Sequence, residues 1–293
     1  MNNRIHPYDR VFSLFILLAL VTSACGLNMK SPVTNITTGP TQTIDVQVPL
    51  PEAQTGVELY LEFVSGDLKL SPGANGYLAS GTSTFNVASF EPIVEANGAS
   101  YKLRSGDQKI EGIPKFSDDF QNQWDLQLAN TPMSLSINTG PYNGSLELGG
   151  LSLEKLAISE AGSNVNVAFS QPNQVAMSTF TYSTGGSTMV LKGLANANFE
   201  QMTFNSGAGD YTLSFDGDLQ RDAKVLIDSG VSTLNIIVPQ GVNARVVFDG
   251  GLSSVVPDAA WQKEGNTYTL PSSGHTIDIT VKMGIGTLNL KNE

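Results

Sequence analysis

The sequence predicts an all-β protein with the architecture of a β-solenoid, a β-helix-like stack of rungs of about 22 residues each with atypical capping ends. Three observations lead to this prediction. Apolar and polar residues alternate with a period of two, as in strands with one buried face, for example over residues 57–63, 211–215 and 276–281. Gly, Ser, Asn and Pro separate these runs. Strand ends with one local pattern recur at a nearly constant spacing, which indicates an internal repeat.

The segment 1–24 has the layout of a secretion signal. Arg4 and Arg10 make the start basic, and an uncharged apolar run covers positions 11–21. A membrane-spanning helix needs about 20 apolar residues, so this run is short for a span. We therefore predict a signal peptide over residues 1–24, and an uncleaved anchor is the alternative.

The chain has one cysteine, Cys25, which follows the small residues Thr22-Ser23-Ala24. This segment resembles a bacterial lipobox, although Thr22 stands where that motif usually has Leu or Val. The resemblance implies cleavage before Cys25 and acylation of its thiol, and two or three acyl chains anchor a protein durably. It would place the protein on the outer face of the bacterial cytoplasmic membrane, in the cell envelope. A plain secretion signal with an incidental Cys25 is the alternative.

The net charge of the chain indicates which classes of binding partner to expect. The formal net charge is −11, and removal of segment 1–24 with Arg4, Arg10 and Asp9 changes it to −12. Nucleic acids bind clustered Lys and Arg, so we expect no nucleic-acid partner. With one cysteine there is neither an internal disulfide nor a zinc site built from cysteines. The expected partners are the membrane, through the lipid anchor, and an envelope glycan or protein.

Two segments precede the repeat. Residues 25–43 are rich in Thr, Asn, Pro and Gly, a composition that buries little apolar surface, and we predict a lipidated tether there. Residues 44–130 have irregular spacing and charged runs, and we predict an N-terminal β cap region. A cap is needed because an exposed terminal rung invites edge pairing. Trp124, in this region, is a predicted core plug.

Residues 131–252 carry the repeat and are predicted to form the solenoid rungs. Apolar strand ends recur about every 22 residues, and they are Ile137, Ile158, Tyr182, Phe204, Ile227 and Phe248. Each is followed by a polar residue and then by a glycine, and we assign the glycines to tight turns, which often need a positive φ. The polar residues are assigned to rung corners and are Asn138, Ser159, Ser183, Asn205, Asp228 and Asp249. A β-sandwich with strands at regular intervals is the alternative architecture.

Residues 253–293 are predicted to form a C-terminal β hairpin and a closing strand. The interval from Gly251 to Gly284 is longer than the other intervals between repeat glycines. Trp261 and Tyr268 flank a turn at Gly265-Asn266, and Trp261 is the second predicted core plug. Residues 284–290 place apolar side chains four and six positions after a glycine, as do residues 207–213 and 230–236, and this predicts the final strand.

Several of these segments together resemble a known family. Asn122-Gln-Trp-Asp-Leu-Gln-Leu128, the run from Pro132 to Gly140, the ladder 151–158 and the glycine-rich segments 250–255 and 284–290 look like parts of the toast-rack proteins. The chain is also similar to the C-terminal β domain of the cell-wall-active antibiotic response proteins. The resemblance covers most of residues 55–293. It implies a β-solenoid-like fold and a place at the cell envelope, but it supplies no functional residue.

The sequence predicts no catalytic residue, metal site or cofactor. His275 lies in a polar turn, and no nucleophile elbow surrounds a serine that could join it in a triad. Asp228 and Asp249, on rungs predicted to be neighbours, would lie about 5 Å apart. That separation would suit a retaining carboxylate pair or a calcium ion. Corner Asp residues more commonly cap their own turn.

These observations favour a membrane-anchored extracytoplasmic lipoprotein that is not an enzyme. Adhesion, glycan or wall binding, and sensing are the roles that fit it. The alternatives are a β-helix enzyme that acts on polysaccharide and a carrier of apolar ligands. The first would need a cluster of carboxylates with a basic residue on one face, and the second would need an unfilled interior.

Overall fold

The structure, a computed structural model, describes residues 33–52, 55–106 and 113–293. Within these ranges the protein is all-β, as predicted, with twenty strands and one 3-10 turn at Ala88–Phe90. The chain divides into two compact units. The smaller unit contains two short parallel strands, β1 (Val33–Asn35) and β8 (Ile113–Lys115). The larger unit contains the other 18 strands in one mixed sheet.

The large sheet has two rows of strands, which we call the first and second limbs. Five long strands run through both limbs: β14 (Met177–Lys192), β15 (Phe199–Ser214), β16 (Ala223–Val238), β17 (Asn243–Pro257) and β20 (Thr276–Asn292). The first limb also contains β3 (Val57–Phe63), β6 (Pro92–Asn97), β7 (Ser100–Ser105), β10 (Met133–Thr139), β12 (Leu153–Glu160), β18 (Gln262–Glu264) and β19 (Thr267–Leu270). The second limb also contains β2 (Gln42–Pro49), β4 (Gly66–Pro72), β5 (Tyr77–Phe85), β9 (Asn122–Leu128), β11 (Tyr142–Glu147) and β13 (Ser163–Ala168).

The middle of each limb is parallel, both ends of the first limb are antiparallel, and the second limb is antiparallel at its β2 end and parallel at its β17 end. In the first limb the spatial order is β6, β7, β3, β10, β12, β14, β15, β16, β20, β17, β19, β18. The second limb follows the order β2, β5, β9, β4, β11, β13 and then the same five long strands. Antiparallel pairs are therefore found at three of the four limb ends, and the second half of β17 ends the second limb in parallel pairing.

The repeat found in the sequence sets the register of the parallel strands. Ile137 pairs with Ile158, and the row continues through Tyr182, Phe204 and Ile227, in the order that the sequence spacing predicts. The last step differs, because β20 lies between β16 and β17. Val281 of β20 therefore pairs with both Ile227 and Phe248.

Glycines occupy the corner between the limbs for a steric reason. A Cβ atom added to Gly207 would lie 2.1 Å from the carbonyl oxygen of Gly185, and one added to Gly140 would lie 2.2 Å from that of Val64. None of the six repeat glycines has a positive φ. Our explanation from turn conformation was therefore wrong. These positions are glycine because the backbones of successive strands approach closely there.

The core lies between the two limbs and is filled with side chains. Inward positions alternate with more exposed ones along each strand, as in β3 and β16. Rings from opposite limbs touch: the centroids of Phe63 and Trp124 are 5.0 Å apart, and those of Phe204 and Tyr211 are 5.4 Å apart. Burial of each large apolar side chain contributes about 1.5–3 kcal/mol, so the stacked rings and aliphatic residues are the main stabilising element.

Three buried asparagines hold the loops that lead from the second limb back to the first. Asn173, 2% exposed, accepts a hydrogen bond from the Leu153 backbone N–H and donates to the carbonyls of Leu153 and Val175. Asn196 and Asn198 donate to carbonyls of preceding loops in the same way. Since buried backbone groups need partners, these amides replace the ladder hydrogen bonds that end at each loop.

The described segments differ from the predicted boundaries in three places. Strand β2 begins at Gln42, inside the segment predicted as tether, and Val33–Asn35 is also a strand. The parallel stack begins inside the predicted cap region, because β3 pairs in parallel register with β10. The predicted hairpin is present, with β18 and β19 flanking Gly265-Asn266. The final strand, however, is inserted between β16 and β17.

Candidate functional site

The six residues that the sequence assigns to rung corners lie along the outer side of the first limb. Direct register pairs join Asn138 to Ser159, Ser159 to Ser183, Ser183 to Asn205, and Asn205 to Asp228. Each follows an inward apolar residue, so the period of two turns it away from the core. The first five of these side chains, from Asn138 to Asp228, are therefore consecutive members of one polar row on the sheet surface.

The position of Asp249 corrects the sequence interpretation. Lys282 of β20 pairs with Asp228 on one side and with Asp249 on the other. The two aspartates are thus separated by two strand spacings, about 10 Å, with a cation between them. The hypothesis that they form a close carboxylate pair or a calcium site is wrong. Chain order suggested adjacency, but the last strand of the chain occupies the place between them.

The same row extends beyond Asn138 in the other direction. Asn138 pairs with Glu62 of β3, and Glu62 pairs with Arg104 of β7. The sequence did not reveal these two members, because they lie in the region of irregular spacing. We call the complete set the corner row, and its order in space is Arg104, Glu62, Asn138, Ser159, Ser183, Asn205, Asp228, Lys282, Asp249. Eight strand spacings make it about 38 Å long.

Four open concavities lie along the corner row. Two, of about 460 and 550 Å³, share Glu62 and Asn138 at one end. Two more, of about 350 and 220 Å³, share Asn205 and Asp228 nearer the other end. We call the corner row with these concavities the outer groove. Its length and shallowness suit an extended ligand better than a compact one.

The charges of the outer groove are concentrated at its two ends. Near β7, Lys102 Nζ lies 2.9 Å from Glu62 Oε1, and Arg104 Nε donates to Glu95 Oε1 at 2.7 Å. At the other end, Lys282 stands between two aspartates. The members of the corner row between these two ends carry amides and hydroxyls. Such groups offer both donors and acceptors without a net charge.

The described residues contain no metal cluster, and the contacts of His275 and Ser187 do not join these two side chains. The described part of the chain contains no group of three or more His, Cys, Asp or Glu that could hold a metal ion. Nδ1 of His275 lies 3.4 Å from Asp222 Oδ1, and neither residue belongs to the corner row. Ser187 is buried and its hydroxyl is 2.9 Å from that of Thr184. The triad considered for His275 and Ser187 is therefore not formed.

Both tryptophans lie in the core. Trp124 is fully buried in β9, between β4 and β5, near one end of the stack. Trp261 is 6% exposed and precedes the hairpin at the other end. Cys25 lies outside the described residues, as does the signal segment. In the described part of the chain, no helix has the length and apolar character needed to cross a membrane.

A buried polar cluster at the inner side of the corner was not foreseen from the sequence. Glu160 ends β12 on an inward position and is 6% exposed. Its carboxylate oxygens and the hydroxyls of Tyr142 and Tyr182 are buried without a well-formed hydrogen bond. Burial raises the pKa of both tyrosines, and the neighbouring Glu160 charge raises each pKa further. The only sequence signal for this cluster was that Glu160 follows Leu156 and Ile158 at intervals of two residues, which puts it on the inward side of the strand.

Comparison with solved structures gives distant likenesses. A protein of Clostridium sporogenes provisionally described as a cell adhesion protein is 17% identical, with a TM-score of 0.47, and the match covers 87% of this chain and 100% of that one. A provisional adhesin of Bacteroides fragilis is 11% identical, with a TM-score of 0.34 over 88% of this chain and 99% of that one. A provisional lipid-binding protein of Parabacteroides distasonis is also 11% identical, with a TM-score of 0.37 and the same coverage. These likenesses assign no function to this chain.

Comparison of the sequence itself is more decisive. No match was found among curated proteins. The family model described as "N-terminal domain of toast_rack, DUF2154" matches residues 37–185, which is just over half of the chain. That range begins just before β2 and ends at the bend of β14. The resemblance noted in the sequence is thereby confirmed, and this chain belongs to the toast-rack family.

Proposed function

We propose that this protein is a non-enzymatic binding protein of the bacterial cell envelope, and that its outer groove binds an extended polysaccharide. The observation that carries the proposal is the corner row: nine side chains in one register, about 38 Å long, with shallow concavities along it. We regard the parallel stack as a β-solenoid, whose rungs repeat at the strand spacing of about 4.8 Å. A repeating ligand could then meet equivalent side chains on successive rungs.

The chemistry of the groove supports a sugar polymer. Sugar hydroxyls both donate and accept hydrogen bonds, as do the amides of Asn138 and Asn205 and the hydroxyls of Ser159 and Ser183. Tyr60 lines the second concavity and presents an apolar ring with a polar edge, which suits a sugar face. The overall acidity of the chain disfavours an anionic polymer and favours a neutral or amino-sugar one.

The alternatives have weaker support. A polysaccharide-acting enzyme would need two carboxylates about 5–9 Å apart across a sugar, and Lys282 separates the candidate pair Asp228 and Asp249. A carrier of apolar ligands would need an empty interior, whereas Phe180, Phe204 and many smaller residues fill the space between the limbs. Neither function has an assembled site in the described residues.

A binding experiment tests the groove. The full chain should co-sediment with purified peptidoglycan, and Ser183→Arg should weaken that binding at least about tenfold because a long side chain fills the centre of the groove. Ser145→Arg adds the same side chain to the outward face of the second limb and should bind normally. Equal affinity of the two variants, or no binding by the unaltered chain, would contradict the proposal.

The proposed location on the membrane depends on Cys25. We infer that its acyl chains hold the protein on the outer face of the cytoplasmic membrane, with the segment after it as a tether. In bacterial cells the unaltered chain should fractionate with membranes and Cys25→Ala should appear in the soluble envelope fraction. If an alanine variant from which residues 1–24 have been removed stays with the membranes, lipidation is not the anchor.

A further inference from the structure

One half of strand β17 is an open sheet edge. Its first half pairs with β19 through residues 244–247, whereas residues 250–257 pair only with β20 among the described strands. The backbone N–H and C=O groups on the far side of this second half therefore face solvent. Unpaired backbone groups on an edge are a template for another strand.

The other open edges of the large sheet are protected. Strands β2, β6 and β18 each pair with a single described strand, and each carries an exposed charge: Asp45, Glu95 and Lys263, respectively. Charged side chains on an edge oppose pairing with another molecule. Residues 250–257 contain no charged residue, although the chain has a net charge of −11. This edge is the one whose composition permits association.

An exposed apolar row leads to the same edge. Val231, Ile285 and Leu252 are register partners on β16, β20 and β17, and they are 55%, 49% and 80% exposed. Val256, 55% exposed, lies four positions further along β17 on the same face. These four are half of the eight large apolar side chains that are exposed in the described residues. Their concentration on three adjacent strands marks an interaction surface.

We propose that a second copy of this chain occupies the edge, so that two β17 strands pair antiparallel about a two-fold axis at Ser254. In this register Leu252 of each copy lies beside Val256 of the other, which extends the apolar row across the axis. Asp258 then faces Gly250, and Asp249 faces Ala259, so no carboxylate opposes another. A shift by one residue in one direction would set Asp249 against Asp258. A shift by one residue in either direction would also place the apolar rows of the two copies on opposite faces, because side chains alternate along a strand, and this disfavours such shifts.

Sedimentation of the full chain carrying Cys25→Ser tests the association without interference from acylation. We expect a dimer in the micromolar range that dissociates on dilution. Leu252→Lys should weaken it at least about tenfold, because the charge enters the apolar row. Leu226→Lys changes a leucine that is 46% exposed on the first limb and should leave the dimer intact. A monomer at every concentration, or equal dimers in both variants, would overturn the proposal.

Cross-linking tests the register. Residues directly opposite each other in an antiparallel pair have Cα atoms about 4.5–5.5 Å apart, within the range of a disulfide. In the Cys25→Ser background, Ser254→Cys should therefore oxidise to a covalent dimer. Ser145→Cys, exposed in the middle of the stack, should remain a monomer on a denaturing gel. A dimer in solution that gives no Ser254→Cys cross-link would refute the two-fold pairing, whatever the outcome of the polysaccharide experiment.

Discussion

Replacing Gly207 by alanine adds one methyl group where two strands pass closest at the corner. The added Cβ would lie 2.1 Å from the carbonyl oxygen of Gly185, whereas real Cβ atoms essentially never come closer than 3.0 Å to such an atom. The neighbouring backbones must separate by roughly 1 Å in a ladder with a spacing of about 4.8 Å. Overpacking of this kind costs about 1–3 kcal/mol.

Thermal unfolding, followed by circular dichroism, measures this cost. For a loss of about 2 kcal/mol we expect Tm to fall by roughly 4–8 °C, given the size of the large unit. Gly186→Ala is the matched control: its nearest atom, the carbonyl oxygen of Ala208, would be 3.3 Å away. We expect a change within about 0.5 kcal/mol there. If both variants melt together, close packing is not the reason for glycine at the corner.

Three further predictions concern buried polar groups. Asn173→Ala removes an amide that makes three hydrogen bonds, and it should lower the free energy of unfolding, measured by urea denaturation, by about 3 kcal/mol. Gln174→Ala, which changes an exposed side chain, should alter this free energy little. Glu160→Gln should raise the free energy of unfolding at neutral pH by about 1 kcal/mol. The reason is that it removes a buried charge that has no cationic partner among the described ion pairs. A lower free energy of unfolding in this variant would contradict the prediction. Folding raises the pKa of Tyr142 and Tyr182 above their ordinary value of about 10, so the unfolded chain releases these two protons at a lower pH than the folded chain does. Tm should therefore fall as the pH rises above about 10, and it should fall less in Tyr182→Phe.

The sequence predicted much of the register because parallel pairing preserves the repeat. The apolar strand ends recur at nearly constant intervals, so each becomes the register partner of the next one in the neighbouring strand. They are Ile137, Ile158, Tyr182, Phe204 and Ile227. The polar residue that follows each of them then falls on the outer surface. Local periodicity and strand spacing are sufficient for this inference.

The position of β20 could not be predicted in the same way. Residues 284–290 have the local pattern of other corners, so the pattern identifies a strand but not its neighbours. Whether the final strand lies beyond β17 or between β16 and β17 depends on how the hairpin turns the chain back, which is a long-range property. Glu160 was missed for a related reason: a glutamate at a strand end is normally solvated, and only the packing of both limbs buries it.

The inserted strand has a consequence for how the molecule is made. During synthesis or export, β16 and β17 emerge before β20, and their edges resemble those of successive neighbours elsewhere in the stack. If β16 and β17 paired with each other, residues 276–292 could not insert between them as β20. Unpaired strand edges of this kind make incomplete chains prone to misassembly. The parallel stack is therefore completed only when β20 arrives, and a chain truncated before residue 276 would leave β16 and β17 free to pair wrongly with each other.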